Sequence, residues 1–197
     1  MKKDIILAGV GGQGILSIAA IIGTAAVKAG LFLKQAEVHG MSQRGGDVQS
    51  NLRISDEPIA SDLIPIGKAD LIISIEPMEA LRYVPMLSSE GWIITNTTPF
   101  INIPDYPAKE AILGEIGKQP GNVILDAEAA AKKIGSVKCA NVVILGAATP
   151  FLGLSYYQIE DAIRVMFGRK GEDVVKMNLD ALKAGSELAK QQLHQTR

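Results

Sequence analysis

Two glycine-rich segments hold the residues of this chain best suited to chemistry. The first is Gly9-Val10-Gly11-Gly12-Gln13-Gly14, a G-x-G-x-x-G pattern between an apolar run and an Ala/Ile-rich stretch. Glycines there permit a tight turn and let backbone N–H groups approach an anion. A helix starting just beyond them adds the positive end of its dipole. The second is His39-Gly40-Met41-Ser42-Gln43-Arg44-Gly45-Gly46-Asp47. Its Arg44 can fork onto a phosphate or a carboxylate, and Ser42 can donate to the same group. Gly45 and Gly46 leave the backbone beside the guanidinium unobstructed. Other roles are open for the same residues. Gly9, Gly11 and Gly14 can serve close strand–helix packing, and Arg44 can clamp a loop carbonyl or a carboxylate across a subunit interface.

Several chemistries are not supported by the residue pattern. The first loop lacks the G-x-x-x-x-G-K-[ST] pattern of an NTPase phosphate loop. Dinucleotide binding would want an acidic residue about 20 positions further on, and Glu37 fits loosely. However, the chain then enters a loop and an apparent hairpin rather than a crossover helix. Glu37 is equally suited to partner Arg44 or a backbone donor in the same loop. There is no G-x-S-x-G and no nucleophilic triad, and Asp4 and Glu37 have no spacing that suggests paired acid–base work. His39 has no Asp/Cys/His cluster near it and reads as a structural residue, and His194 falls in a tail. Cys139, the only cysteine, precedes an apolar helix without an obvious base and reads as inert packing. No catalytic residue and no metal ligand is assigned. Ligand loops without a catalytic set suggest a subunit whose chemistry sits on a partner.

The elements that must position these loops follow from hydrophobic periodicity. Residues 4–9 read as a buried parallel strand, 15–29 as a helix apolar nearly all round with Gly30 as its C-cap, and 31–38 as a second strand. Residues 48–55 alternate by twos, as a half-exposed strand does, and 59–61 are expected to pair back on them as a hairpin. Strands are expected at 69–75, 91–97 and 122–127. A helix opens at Glu76-Pro77, and 98–121 is irregular with a short helix at 107–117. Further helices are expected at 128–135, 141–153, from Ser155 with capping-box spacing to about Phe167, and 171–193. The order specifies a three-layer α/β fold with a mostly parallel, Rossmann-like sheet, a small hairpin and a helical C-terminal segment. Ligands in such sheets bind beyond the carboxyl ends of the strands. Both glycine loops follow strands, so both are expected at one edge of the sheet.

Composition bounds the rest. At 197 residues the chain is read as a single domain, 1–197, able to bury about 70% of its unfolded surface without staples. With 20 Lys+Arg against 21 Asp+Glu, the formal charge of −1 provides no field for nucleic acid or anionic lipid. No segment is long and apolar enough to span a membrane, and no secretory leader is expected. One cysteine excludes an internal disulfide framework, a Cys-rich zinc site and a four-cysteine iron–sulfur cluster within the chain, and fits a cytoplasmic setting.

Taken together, DIILAGVGGQGILSIAAIIGTAAVKAG, EVHGMSQRGGDVQSNLRIS, ADLIISIEPMEALR and NVVILGAATPFLG resemble the gamma-type domain of the 2-oxoacid:ferredoxin oxidoreductases. The paired signatures G-x-G-G-Q-G and S-x-R-G-G carry the resemblance, which covers most of the chain. EVHGMSQRGGDVQS, in a chain of this length, is most similar to the small subunits of the branch acting on indolepyruvate. The resemblance implies an oxidative decarboxylation in which an aryl pyruvate, coenzyme A and oxidised ferredoxin give an aryl acetyl-CoA, carbon dioxide and reduced ferredoxin. It implies thiamine diphosphate and iron–sulfur clusters on a large partner subunit, none on this chain, and contact with ferredoxin through the complex. It also implies that the gamma-type domain helps handle coenzyme A. Gly11, Gly12, Gln13, Ser42 and Arg44 are then expected contacts for its phosphates, within a site spanning Gly9, Gly14, Gly45 and Gly46. A freestanding NAD(P)-binding enzyme and a nucleotide-sensing module are the alternatives.

Overall fold

The computed structural model describes residues 1–39 and 45–195, apart from the side chain of His39. Strand β1, Lys2–Val10, is buried from Asp4 onward. Its consecutive residues serve two different cores. Ile5 and Leu7 point into one apolar cluster and Ile6 into the other, as a strand covered on both faces requires. Around it lie β2 (Phe32–His39), β3 (Asp47–Ser55), β4 (Ala69–Ser74), β5 (Leu87–Asn96) and β6 (Asn122–Leu125), in the order β2-β3-β1-β4-β5-β6. The strands β1, β4, β5 and β6 are parallel, whereas β3 is antiparallel to both β1 and β2.

The hairpin differs from the one expected. Its arms are β2 and β3, paired from Phe32↔Ser55 to His39↔Val48. Residues 59–61 form no strand. They have no edge to join, because β3 is already flanked by β1 on one side and β2 on the other. The segment instead crosses the sheet face, where Ser61 O and Leu63 O accept from Arg53 Nη1 (both 3.0 Å) and Ala60 O accepts from Lys34 Nζ (3.0 Å). With β2 returning directly into β3, the crossover helix of a dinucleotide site is replaced by a hairpin. Glu37 lies exposed on the edge strand.

Helices cover both faces. Against one pack α1 (Ile15–Lys28), α4 (Ala127–Ile134), α5 (Ala140–Ala148), α6 (Tyr156–Phe167) and α7 (Glu172–Gln195); against the other, α2 (Pro77–Arg82) and α3 (Lys109–Gly117). Several ends were readable as sequence. Ser155 and Gln158 form a reciprocal capping box at α6. Gly30 (φ +75°) closes α1 in a Schellman arrangement, with Gly30 N donating to Val27 O and Leu31 N to Ala26 O. The edge strand β6 is sealed by the Gln192 amide, which both accepts from Ile124 N and donates to Ile124 O.

At the far end of β1 from the glycine loops, Asp4 is 1% exposed and faces Arg53 across the ladder. Arg53 Nε donates to Asp4 Oδ1 (2.7 Å) and Nη2 to Oδ2 (3.1 Å). Asp4 is thus structural.

Helices α5 and α7 cross at backbone contact. A Cβ on Gly185 would lie 1.8 Å from Val143 O, whereas one on Gly114 of α3 would meet nothing within 4 Å. Gly185→Ala is therefore expected to destabilise the purified chain by at least about 2 kcal/mol through forced helix separation. Gly114→Ala is expected to stabilise it by roughly 0.5–1 kcal/mol. Urea unfolding midpoints check both, and equal midpoints for the two variants would refute the crossing geometry.

Candidate functional site

The glycines of the first loop do different jobs. Gly9 is buried at the end of β1, and the space a Cβ would need is filled by Gln13 Oε1 and Ile15 Cδ1, both at 3.0 Å. Its role is packing. Gly12 (φ +102°) is exposed and crowded by nothing, so the turn needs glycine there for its backbone conformation. Gly14 (φ +86°) is the N-cap of α1, and a Cβ on it would meet Asn141 Nδ2 at 2.5 Å. The Gln13 side chain turns inward and accepts from Val10 N at 2.8 Å, so only its NH2 remains as an outward donor.

Two helix N-termini meet here. Asn141, in the first turn of α5, donates from Nδ2 to Gly14 O at 3.3 Å. Neither α1 nor α5 has an acidic residue in its first turn or a side-chain cap. The amides of Gly12, Gly14, Ile15 and Leu16 have no hydrogen-bond partner among the described residues. The two helix ends and these donors present main-chain N–H groups at the rim, beside the exposed carboxylate of Asp47. Exposed Lys138, just ahead of α5, adds a full charge that the sequence reading passed over.

The second loop arrives at the same rim. Because β2 and β1 both run antiparallel to β3, their C-terminal ends lie on one edge. Gly11 N donates to Gly46 O at 2.8 Å, and Gly45 N to Gly11 O at 3.4 Å. The structure thus brings Gly9, Gly11, Gly12, Gln13, Gly14, Gly45 and Gly46 together. Ser42 and Arg44 lie outside the described residues.

A third segment, absent from the sequence reading of the site, completes the rim. Glu76 follows β4, is 1% exposed, and caps α2 by accepting from Glu79 N at 2.9 Å. Its other oxygen accepts from Phe100 N (3.2 Å) and from Tyr106 OH. Between those two anchors, Asn102 Nδ2 donates to Gly45 O at 2.7 Å. Phe100, Ile101 and Ile103 of this loop are exposed. The Glu76-Pro77 helix start was legible; the carboxylate's reach across to residues 100 and 106 left no local signal.

Nearby, Arg82 Nε and Nη2 bridge to the Glu79 carboxylate (2.8 and 3.3 Å). That bond raises the guanidinium pKa, with Asp47 a lesser contributor. Burial pushes the Tyr83 phenol up to about 12, and Glu79 and Asp47 add to the shift. Burial raises the Cys139 thiol too, and a hydrogen bond with Ser136 only partly opposes it, which is the environment of an unreactive cysteine. Among the described residues no group of three or more His, Cys, Asp or Glu could hold a metal ion. The arrangement can bind and orient an anion.

Tyr106 gives this brace a pH signature. Burial raises its pKa, and the hydrogen bond to Glu76 raises it further. Tyr106→Phe removes a donor to a buried carboxylate and is expected to cost about 1.5–3 kcal/mol at neutral pH. Both states keep the phenol proton below the ordinary tyrosine pKa of about 10; above it the unfolded state ionises while the folded state does not. Wild-type stability therefore falls with this group as pH rises from about 9 to 11, and the gap to Tyr106→Phe narrows. Urea midpoints followed by Trp92 fluorescence test this; a gap that stays constant across that range refutes the assignment.

A family model described as pyruvate ferredoxin/flavodoxin oxidoreductase matches residues 4–188. The chain is 40% identical over 194 residues to indolepyruvate oxidoreductase subunit IorB of Archaeoglobus fulgidus, covering 94% of each. It is 39% identical over 205 residues to the subunit of that name from Pyrococcus horikoshii, covering 98% of this chain and 100% of the relative. Among solved structures, the gamma subunit of a keto/oxoacid ferredoxin oxidoreductase from Geobacter sulfurreducens shares the fold, with a TM-score of 0.70 and 24% identity over 96% of this chain and 99% of that one. So does 2-oxoglutarate:ferredoxin oxidoreductase from Magnetococcus marinus, solved with 2-oxoglutarate, coenzyme A and succinyl-CoA bound. There the TM-score is 0.78 and the identity 23%, over 96% of this chain and 31% of that longer one. The match to the family model over residues 4–188, with relatives about 40% identical along nearly their whole length, establishes that this chain belongs to the pyruvate ferredoxin/flavodoxin oxidoreductase family.

Proposed function

We propose that this chain, acting over residues 1–197 as one gamma-type unit, is the small subunit of an indolepyruvate:ferredoxin oxidoreductase. In this reading its glycine rim receives the phosphates of coenzyme A. The complex converts an aryl pyruvate and coenzyme A to an aryl acetyl-CoA and carbon dioxide, with the electrons passing to ferredoxin. One observation carries the reading of the rim. The Gly11–Gly46 backbone bond sets the two glycine turns side by side at the N-terminus of α1, in a chain about 40% identical to IorB subunits along its length. Coenzyme A is polyanionic, and the free amides, two helix dipoles and Lys138 suit such a ligand. Gly11, Gly12, the Gln13 NH2, Ser42 and Arg44 are the proposed contacts. Gly9 and Gly14 support them from within the packing, and Gly45 and Gly46 by shaping the second turn.

The chemistry of carbon–carbon cleavage and electron transfer belongs to a partner in this reading. A single buried Cys139 cannot ligate a four-cysteine cluster. The iron–sulfur clusters are therefore assigned to a large subunit, through which ferredoxin is engaged, and thiamine diphosphate is placed there with them. The exposed Phe100, Ile101 and Ile103 beside the turns offer that subunit apolar surface to cover. The lone cysteine, and the lack of any described helix able to cross a membrane, support a cytoplasmic setting.

Co-expression with the neighbouring large-subunit gene tests the proposal. The complex is expected to oxidise indolepyruvate only when coenzyme A is present, and the isolated chain to show no turnover. Arg44→Ala is expected to weaken coenzyme A use by the complex by about 1–3 kcal/mol, as loss of a charge-assisted hydrogen bond does, without changing KM for indolepyruvate. Turnover by the isolated chain would refute the assignment to a partner. Unchanged coenzyme A kinetics in Arg44→Ala, with lost subunit association, would refute the phosphate role of that residue.

A further inference from the structure

We propose that Asn102 is a positioning residue that holds the second glycine turn against the first. The proposal deepens the reading of the rim as a coenzyme A site and rests on it for its functional consequence. Consecutive glycines are the costliest residues to order, so Gly45-Gly46 needs restraint from outside its own hairpin. On one side Gly11 supplies it, through the bonds to Gly46 O and from Gly45 N. On the other, Gly45 O accepts from Asn102 Nδ2 at 2.7 Å. Asn102 is itself held, since Phe100 N and Tyr106 OH are both tied to the buried Glu76 carboxylate. Glu76 in turn is fixed by Glu79 N on its side chain (2.9 Å) and by Ser74 Oγ donating to its carbonyl (2.6 Å). A continuous run of hydrogen bonds thus leads from the end of β4, through the 97–106 loop, to the glycine turns. Asn102 is exposed, which separates its positioning role from a packing role.

The test uses the complex assembled with the large subunit and carrying Asn102→Ala or Asn102→Leu, the latter close to asparagine in shape but without the donor. Hydrogen–deuterium exchange of peptides covering 9–14 and 45–47 reads the turns directly, and steady-state kinetics read the site. Both variants are expected to quicken exchange there by about three- to tenfold and to raise KM for coenzyme A by a similar factor, the range a single lost hydrogen bond supports. KM for indolepyruvate, and kcat at saturating coenzyme A, are expected to hold. Wild-type exchange in both variants, or wild-type behaviour restored by leucine, overturns the proposal. So does an unmoved coenzyme A KM while Arg44→Ala raises it, because the turns' placement would then be irrelevant to the ligand. If exchange quickens but neither Asn102 variant nor Arg44→Ala moves the coenzyme A KM, the coenzyme A reading falls and the positioning of the turns by Asn102 stands.

Discussion

The register of β1 against β3 governs everything at the rim. At one end of this ladder Asp4 faces Arg53; at the other, Val10 faces Asp47, with Gly11 bonded to Gly46 just beyond. The two ends are parts of one constraint. A slip by a single residue would turn Arg53 toward the face that holds Leu52 and Ile54 and leave the buried Asp4 carboxylate with only the exposed Lys2 Nζ (2.9 Å) beside it. Taking the bidentate Arg53 from a carboxylate this buried would cost on the order of 3 kcal/mol, more than a glycine turn can supply by itself. The ion pair therefore fixes where Gly46 arrives, a full strand length away. It also explains the antiparallel strand inside a parallel sheet. Only a strand running back between β1 and β2 returns the end of β2 to the edge where β1 ends.

Close packing and electrostatics then act on the same spot. The helices α1 and α5 begin side by side because Gly14 has no Cβ to collide with Asn141. Further along, α5 lies tight against α7 because Gly146 and Gly185 bring backbone to backbone; a Cβ on Gly146 would stand 2.1 Å from Leu182 O. Small residues thus let two positive helix ends converge at the rim, and neither first turn carries an acidic side chain. An isolated helix start would be an unremarkable source of potential. Two in contact, beside a turn with unpaired amides, gather main-chain donors at one spot.

What could be read from the sequence was whatever depends on local chemistry or on strand order. Alternation and apolar runs located all six strands, Gly30 closed α1, and Ser155 with Gln158 opened α6. The placement of both glycine loops on one edge followed from topology, and Gly45 and Gly46 bear it out. The pairing of 59–61 failed because its decisive fact, that β3 has no spare edge, is a property of the assembled sheet. The inward turn of Gln13 was hidden because G-x-G-x-x-G specifies backbone and leaves the side-chain direction to the packing beneath Gly9. The Glu76 brace was out of reach for a plainer reason: its partners lie 24 and 30 positions away, and Asn102 is 57 from Gly45. Nothing in the mixed prolines, polar groups and apolar side chains of residues 98–106 distinguishes a strut from an ordinary loop.

This division of labour accounts for a rim with no nucleophile–base pair near it among the described residues. Groups that perform chemistry must be side chains with tuned protonation, and those here are two half-buried phenols at the rim and an inert thiol. The raised phenols, Tyr83 and Tyr106, are held neutral and serve as fixed donors or packing. What the rim offers is geometry, namely amides that a ligand can meet without reorganisation because three separate chain segments already hold them in place. Preorganised main-chain donors lower the cost of binding a mobile, multiply charged ligand. They do so whether the bond-making atoms belong to the same polypeptide or to another. In the reading proposed above, a chain built in this way presents one reactant in register, and the interactions that hold its rim are the β1–β3 ladder and the Glu76 brace.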